Sequence, residues 1–555
     1  MTALLMCLLR MNVPVRGEAL QEGPKSGDCG DAMTWWLEEG TLTISGYGMM
    51  TEWYDYKTVP WYNDRMSVTE VVIEPGVDSI GEYAFTDCSN LKKVTLPEDL
   101  KVIQNDAFVS CTSLESITIP ENVTSIENET FSNCRSLSQI ELSARTTYIG
   151  ANAFTNCISL ETVDIPQSVI KIDPFAFAGC SGLSSITLPD GIQEIEFSAF
   201  SHCSGLKNVI LPESLQAIGN FAFGNCSSLE QITIPDGVTL IRSNAFADCS
   251  SLAEITIPDS VTVIEPLAFE NCSSLVSVTL PDSITCVDYN TFSGCKSLET
   301  VKIPDGVTRI GQSAFSGCEN LQTIDLPPSL ESIEEAAFSY CRKLRDVIIP
   351  DSVTNIGSGA FTDCSNLSEM IIPNGISSIN GSTFSGCTSL TRVTIPDTVT
   401  SIGKRAFSKC EKLESISIPE GVTSIGERAF SGCASFKEVK IPRNIQELDY
   451  SVFSYCSGLT EVKIPVGVKK IGEHAFYECS ALTTVGIPAS VRLIDYEAFC
   501  GCSSLTDVYY GGTEEEWISF MGTKYIDHLK ELMRANIHYG ATLSENDSDV
   551  QSPGT

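Results

Sequence analysis

The chain has 555 residues, 42% of them hydrophobic, with 71 acidic against 35 basic side chains and a net charge of −36. That imbalance argues against nucleic acid or an anionic membrane as partner, because both are bound through clustered Lys and Arg. So long a chain exceeds one ordinary hydrophobic core, which stops growing at ~250–300 residues. A repeat array escapes that limit, since each unit packs only on its neighbours.

Residues 1–28 read as a signal peptide short of its first residues, followed by a linker. Leu4 to Leu9 form a short apolar run, and Gly17-Glu18-Ala19 resembles a small-x-small cleavage site. A basic start is lacking and Arg10 interrupts the run. No later run approaches ~18 apolar residues, so no membrane-spanning helix is expected. Export to the cell surface or medium is the expectation, with a cytoplasmic protein as the alternative.

Residues 29–67 do not share the pattern of the array that begins at Val68. Trp36-Leu37-Glu38, a turn at Glu39-Gly40 and Thr41-Leu42-Thr43-Ile44 predict a β-hairpin. Trp35, Trp36, Trp53, Tyr54, Trp61 and Tyr62 cluster here. A ligand-binding aromatic patch is one reading. A cap over the first coil of the array is favoured, because an open strand edge recruits other chains.

From Val68 to Tyr510 a unit of 23 residues repeats without insertion. Its markers are a cysteine every 23 residues from Cys88 to Cys502, nineteen in all, and a parallel phenylalanine column from Phe85 to Phe499. A fixed period of this size signals a solenoid. In the unit from Leu229 to Ser251, Ile232-Thr233-Ile234 alternate as a strand does, Pro235 ends the ladder and Asp236-Gly237 turn the chain. Val238 to Ile241 make a second short strand. Ala245, Phe246 and Cys249 are spaced as on a helical turn. The thirteenth position after the leading Leu is usually Gly, Asp or Asn (Gly219, Gly311, Gly357, Asp449), which suits a bend with positive φ. A single coil cannot bury its own apolar face, so stacking supplies the stability.

Four cysteines lie outside the column: Cys7, Cys29, Cys286 and Cys500. Strand spacing of ~4.8 Å brings successive column thiols within bridging reach, yet an odd column cannot pair completely. Buried thiols are favoured; some disulfides or a metal remain open, although no CxxC spacing occurs and only four histidines are present.

After the array, Thr513-Glu514-Glu515-Glu516 is a capping box that opens a helix with Trp517, Ile518 and Phe520. Ile526, Leu529, Leu532 and Met533 predict a second helix, so 511–540 is expected to be a helical cap. Residues 541–555 are polar and expected to be disordered.

No GxSxG, HExxH, GxxxxGK[ST] or GxGxxG motif occurs, so no enzyme and no cofactor are expected. His202 and His474 fall at variable surface positions of the coil, and His528 and His538 in the terminal segment. The acidic turn column (Asp190, Asp236, Asp259, Asp282, Asp305) could hold Ca²⁺. It is interrupted by Glu213, Pro328 and Arg443, and one carboxylate per coil offers too few ligands, so no metal site is assigned. Binding is better sought at the outward strand positions. Most are Thr or Ser (Thr233, Thr256, Thr279, Thr394), but Ile210, Ile348 and Ile371 are apolar and Lys302, Lys440 and Lys463 basic. Ile348 and Ile371 are one coil apart, with Met370 and Glu369 alongside. These seven residues other than Glu369 form the candidate partner-binding surface, set against simple drift among equivalent coils.

The unit Leu413 to Cys433, LESISIPEGVTSIGERAFSGC, follows almost verbatim the pattern LxxITIPxxVTxIGxxAFxxC. It closely resembles the BspA-like (Treponema pallidum type) leucine-rich repeat family. Gly40 to Met50 and Tyr509 to Trp517 resemble the flanking pieces of secreted members. Ser143 in place of the strand-ending proline and Phe436 in place of the leading Leu are local departures. The resemblance implies a right-handed, mainly β solenoid of 23-residue coils (strand, turn, short strand, helical turn) that curves to present a sheet face. It also implies surface display and adhesion through protein partners, with no catalytic residues to carry over. A monomer is expected.

Overall fold

The structure, a computed structural model, describes residues 25–521 and 526–541. The expected signal segment, apart from Lys25 to Asp28, and the tail beyond Ala541 lie outside them.

Strands β1 (Lys25–Gly30), β2 (Met33–Glu38) and β3 (Thr41–Gly46) form an antiparallel meander, with Leu37 opposite Leu42 and Trp35 opposite Ile44. Glu39 and Gly40, both at positive φ, make the predicted hairpin turn. β1 begins inside the stretch expected to be linker. β3 then pairs in parallel with Glu70–Ile73, the first strand of the array. One sheet therefore passes from the meander into the solenoid.

Two parallel ladders run through the coils. The first holds three-residue strands such as Gln231–Thr233, whose outer residues are exposed and whose centre is buried. It pairs with Glu254–Thr256 in a register of 23, so Ile232 lies beside Ile255. The second holds two-residue strands such as Leu240–Ile241, paired with Val263–Ile264. Identical coils in one register put identical side chains above one another, which gives a continuous apolar interior.

The third side of the coil differs from the expected helical turn. Ala245, Ala247 and Cys249 donate their N–H groups three residues back, to Arg242, Asn244 and Phe246. The N–H groups between them cross to the next coil instead: Asn244 to Pro266, Phe246 to Ala268 and Asp248 to Glu270. Alternating the donors in this way leaves a chain of turns, with no run of i to i−4 bonds.

Positive φ falls at the fifteenth and nineteenth positions, as at Asn244 (58°) and Asp248 (60°), and not at the thirteenth. Glycine at the thirteenth position has another cause. A Cβ on Gly219 would lie 2.3 Å from the Ile195 carbonyl oxygen of the preceding coil, and one on Gly357 2.4 Å from the Glu335 nitrogen. Close approach of two backbones, rather than a left-handed bend, explains it.

The phenylalanines stack with ring centroids 5.1–5.7 Å apart from Phe85 to Phe499. Every column cysteine after Cys88 donates its Sγ–H to the carbonyl of a phenylalanine 26 residues earlier, at 3.1–3.3 Å. The Phe246 carbonyl thus accepts from the Cys249 N–H and from the Cys272 thiol, using both lone pairs. This geometry accounts for cysteine at a site otherwise suited to alanine: it is small, apolar and still a weak donor.

All described cysteines are free thiols. Burial pushes the Cys249 thiol up to about 12, so the reactive thiolate is suppressed. A bulky thiol reagent is therefore expected to leave the nineteen column thiols intact in the native protein while it modifies the half-buried Cys286 and Cys500. Mass spectrometry of labelled peptides checks this; labelling along the column at native conditions would contradict it.

At the far end, Asp507–Tyr510 leads into α1 (Glu514–Met521). The Thr513 hydroxyl accepts from the Glu516 N–H at 3.2 Å and the Glu516 carboxylate from the Thr513 N–H at 2.8 Å, a complete capping box. A 3₁₀ turn and α2 (Lys530–Arg534) follow. The chain then returns as Asn536–Tyr539, a strand parallel to Asp507–Tyr510 that the helical expectation for 511–540 did not include. His538 Nε2 lies 2.8 Å from Asp507 across this last pair.

Candidate functional site

Alternation along the strand decides which side chains the first ladder offers to a partner. Ile210, Ile348 and Ile371 are 62%, 85% and 69% exposed, far above the usual value for isoleucine. Lys302, Lys440 and Lys463 also point outward. Met370 does not: it is the central residue of Glu369–Ile371 and is 1% exposed. It occupies the inward slot that Ile232 fills in its own coil, so it belongs to the core and leaves the candidate surface.

The remaining six residues share one face but not one spot. Ile210 and Ile371 are seven coils apart, about 34 Å at one strand spacing per coil. Lys302 lies beside Thr279 in register and bridges to Asp325 on its other side. Lys440 pairs in register with Lys463 and reaches the Glu420 carboxylate at 3.4 Å. That carboxyl is held below its usual range chiefly by the Arg443 backbone N–H, and then by Lys440. Beside Ile371, Glu369 and Arg392 approach to 3.9 Å.

Ile348 and Ile371 occupy equivalent positions of adjacent coils. The ladder is interrupted around them. The coils led by Leu321 and Leu344 keep only isolated bridges, Lys302 to Asp325 and Thr323 to Asp346, and regular pairing resumes between Glu369–Ile371 and Arg392–Thr394.

The turn side carries two exposed aromatic groups that periodicity does not flag, because its positions vary from coil to coil. Phe175, Phe197 and Phe221 lie edge to face at 5.0 and 6.2 Å in three successive coils. Near the C-terminal end, Tyr450, Tyr455, His474, Tyr477 and Tyr496 form a connected set. A signal was present in the sequence: bulky rings stand at positions where many coils have a small or polar residue such as Ser, Asn, Asp or Gly.

The aromatic residues before the array are mostly interior. Trp35 and Trp53 are 6% exposed and Trp61 is fully buried. Trp61 stacks on Phe85 at 5.9 Å and so continues the phenylalanine column by one ring, which answers against a ligand patch built on it. The acidic turn residues project one per coil into solvent. Among the described residues no three His, Cys, Asp or Glu side chains converge as a metal would require. No helix among them is long and apolar enough to cross a membrane.

The model of the BspA type leucine rich repeat region matches residues 61–184, 171–299, 287–412 and 378–506. Among solved structures, a leucine-rich repeat protein from Bacteroides ovatus is 27% identical, with 86% of this chain and 98% of that one covered and a TM-score of 0.39. The leucine-rich repeat protein of T. pallidum is 32% identical over 33% of this chain and 78% of its own, at a TM-score of 0.28. A leucine-rich cell surface protein from Faecalibacterium prausnitzii is 22% identical, with 90% and 98% covered and a TM-score of 0.22. No curated protein matches the chain. The matched stretches together run through nearly the whole array, and the chain belongs to the BspA type leucine-rich repeat family.

Proposed function

We propose that the protein is a non-enzymatic interaction scaffold, secreted or displayed at a cell surface, that binds host or extracellular-matrix proteins through the sheet face of its solenoid. It acts as a monomer, with residues 29–67 and 511–540 as its caps. The observation that carries the reading is the division of labour within the coil. Inward positions hold a strict apolar set, whereas outward ladder positions change freely and include the exposed pair Ile348 and Ile371. An apolar pair framed by Glu369 and Arg392 has the make-up of an interface centre with a polar rim.

The buried thiol column suits either side of a membrane, since thiols shielded from solvent and held protonated resist oxidation. An intracellular scaffold is the alternative, and protease treatment of intact cells separates the two. Loss of the protein on shaving, together with saturable binding of the purified chain to immobilised matrix proteins, is the expected result. Protection from protease and no binding to any matrix protein would overturn the reading.

A further inference from the structure

The geometry points to a second docking surface, on the turn side near the C-terminal end, that takes an arginine- or lysine-rich segment of a partner protein. It goes beyond the sheet-face reading and stands on different residues. Tyr455 meets Tyr477 at 5.5 Å, Tyr477 meets His474 at 5.0 Å, and His474 meets Tyr450 at 5.7 Å and Tyr496 at 6.0 Å. Tyr496 in turn meets His528 at 4.0 Å. These rings join three successive coils to the terminal segment, and Tyr455 and Tyr496 remain 55% and 44% exposed.

The placement opposes local preference. Tyr455 and His474 sit at φ 58°, a region that costs a bulky side chain more than it costs Gly, Asn or Asp. The neighbouring coils at the position of Tyr455 carry Gly432 and Glu478, and the position of Tyr477 carries Ser431 and Ser454. Ring packing alone gives no reason to assemble aromatics there, because the interior column already stacks the coils.

Carboxylates supply the charge of the surface. Glu473 lies 3.7 Å from His474 Nδ1, and Glu497 of the next coil 3.0 Å from its Nε2, with Glu478 four residues after His474 on the same coil. Tyr477 is held above its usual range chiefly by Tyr455, then by burial and by Glu478, Cys500 and Glu497. A cation over an aromatic face, flanked by carboxylates, is favourable on both counts. The chain itself shows the mode at the margin of the patch: the Arg428 guanidinium stands 4.9 Å from the Tyr450 ring centroid and donates to the Tyr450 hydroxyl at 3.3 Å.

The test uses the full chain and a fluorescein-labelled octa-arginine peptide, read by anisotropy at physiological salt. The variant Tyr455→Asn/Tyr477→Ser/Tyr496→Ser leaves the net charge unchanged and installs side chains that other coils carry at the same positions, so folding is retained. Binding at least tenfold weaker in this variant, and unchanged in Ile348→Asp/Ile371→Asp, is the expected result. Equal binding by the tyrosine variant would overturn the proposal in favour of bulk acidity. No binding by the parent chain, or loss only in the isoleucine variant, would overturn it as well. A second variant, Glu473→Gln/Glu478→Gln/Glu497→Gln, is expected to weaken binding too; unaltered binding counts against the site.

Discussion

Replacing Phe246 by Ala is expected to destabilise the array by about 4 kcal/mol, the middle of the range for a buried aromatic. Phe246 is fully buried between Phe223 at 5.6 Å and Phe269 at 5.4 Å, so truncation removes two ring contacts and opens a cavity. The backbone around it is tied to the following coil by the Phe246 N–H to Ala268 and the Cys272 thiol to the Phe246 carbonyl, and to the preceding coil by the Phe223 N–H to Ala245 and the Cys249 thiol to the Phe223 carbonyl. Collapse into the cavity is therefore restricted, which keeps the cost high. Because each coil contacts only its neighbours, the defect divides the stack, and unfolding in urea should separate into two steps. A single transition shifted by less than about 1 kcal/mol would contradict the central place given to the phenylalanine column.

The second large effect is expected at Trp61. Its ring meets Trp35 at 5.7 Å, Trp53 at 5.5 Å and Phe85 at 5.9 Å, and its Nε1–H donates to the Ala84 carbonyl at 2.7 Å. Trp61→Ala removes the side chain that covers the first ring of the column and the donor that satisfies Ala84. A loss of ~3–5 kcal/mol follows from the buried volume alone. The consequence should be local: limited proteolysis is expected to cut between residues 25 and 90 while the central coils stay resistant. Tyr54→Ala, at a side chain 90% exposed, provides the contrast and should leave the digestion pattern unchanged. Equal patterns for the two variants would contradict the role assigned to Trp61.

Much of this architecture was legible because it depends on periodic apolar side chains. The strand Ile232-Thr233-Ile234, the hairpin around Glu39-Gly40 and the capping box at Thr513 follow from alternation, turn chemistry and spacing, which act over a few residues. What escaped depends on relations between coils. The left-handed positions were hidden because their occupants range from Asn244 to Phe221 and Arg405, all held there by hydrogen bonds to the next coil. Trp61 escaped the column since it stands 24 residues before Phe85 rather than 23. The strand Asn536–Tyr539 owes its existence to the open edge of Asp507–Tyr510, which offers backbone groups that a short polar segment satisfies by pairing. Met370 was misplaced for a simpler reason. Its neighbours Glu369 and Ile371 face outward, and the same alternation that exposes them turns Met370 inward.

The proposed sheet-face binding rests on the outward ladder positions, while the Leu, Ile, Phe and Cys columns hold the stack. The most direct test compares binding of the parent chain and of Ile348→Asp/Ile371→Asp to the matrix protein that the parent binds, with thermal unfolding recorded for both. The account predicts at least a tenfold loss of affinity with an unchanged unfolding temperature, because both side chains are exposed and buttress nothing. Undiminished binding by the variant would contradict it.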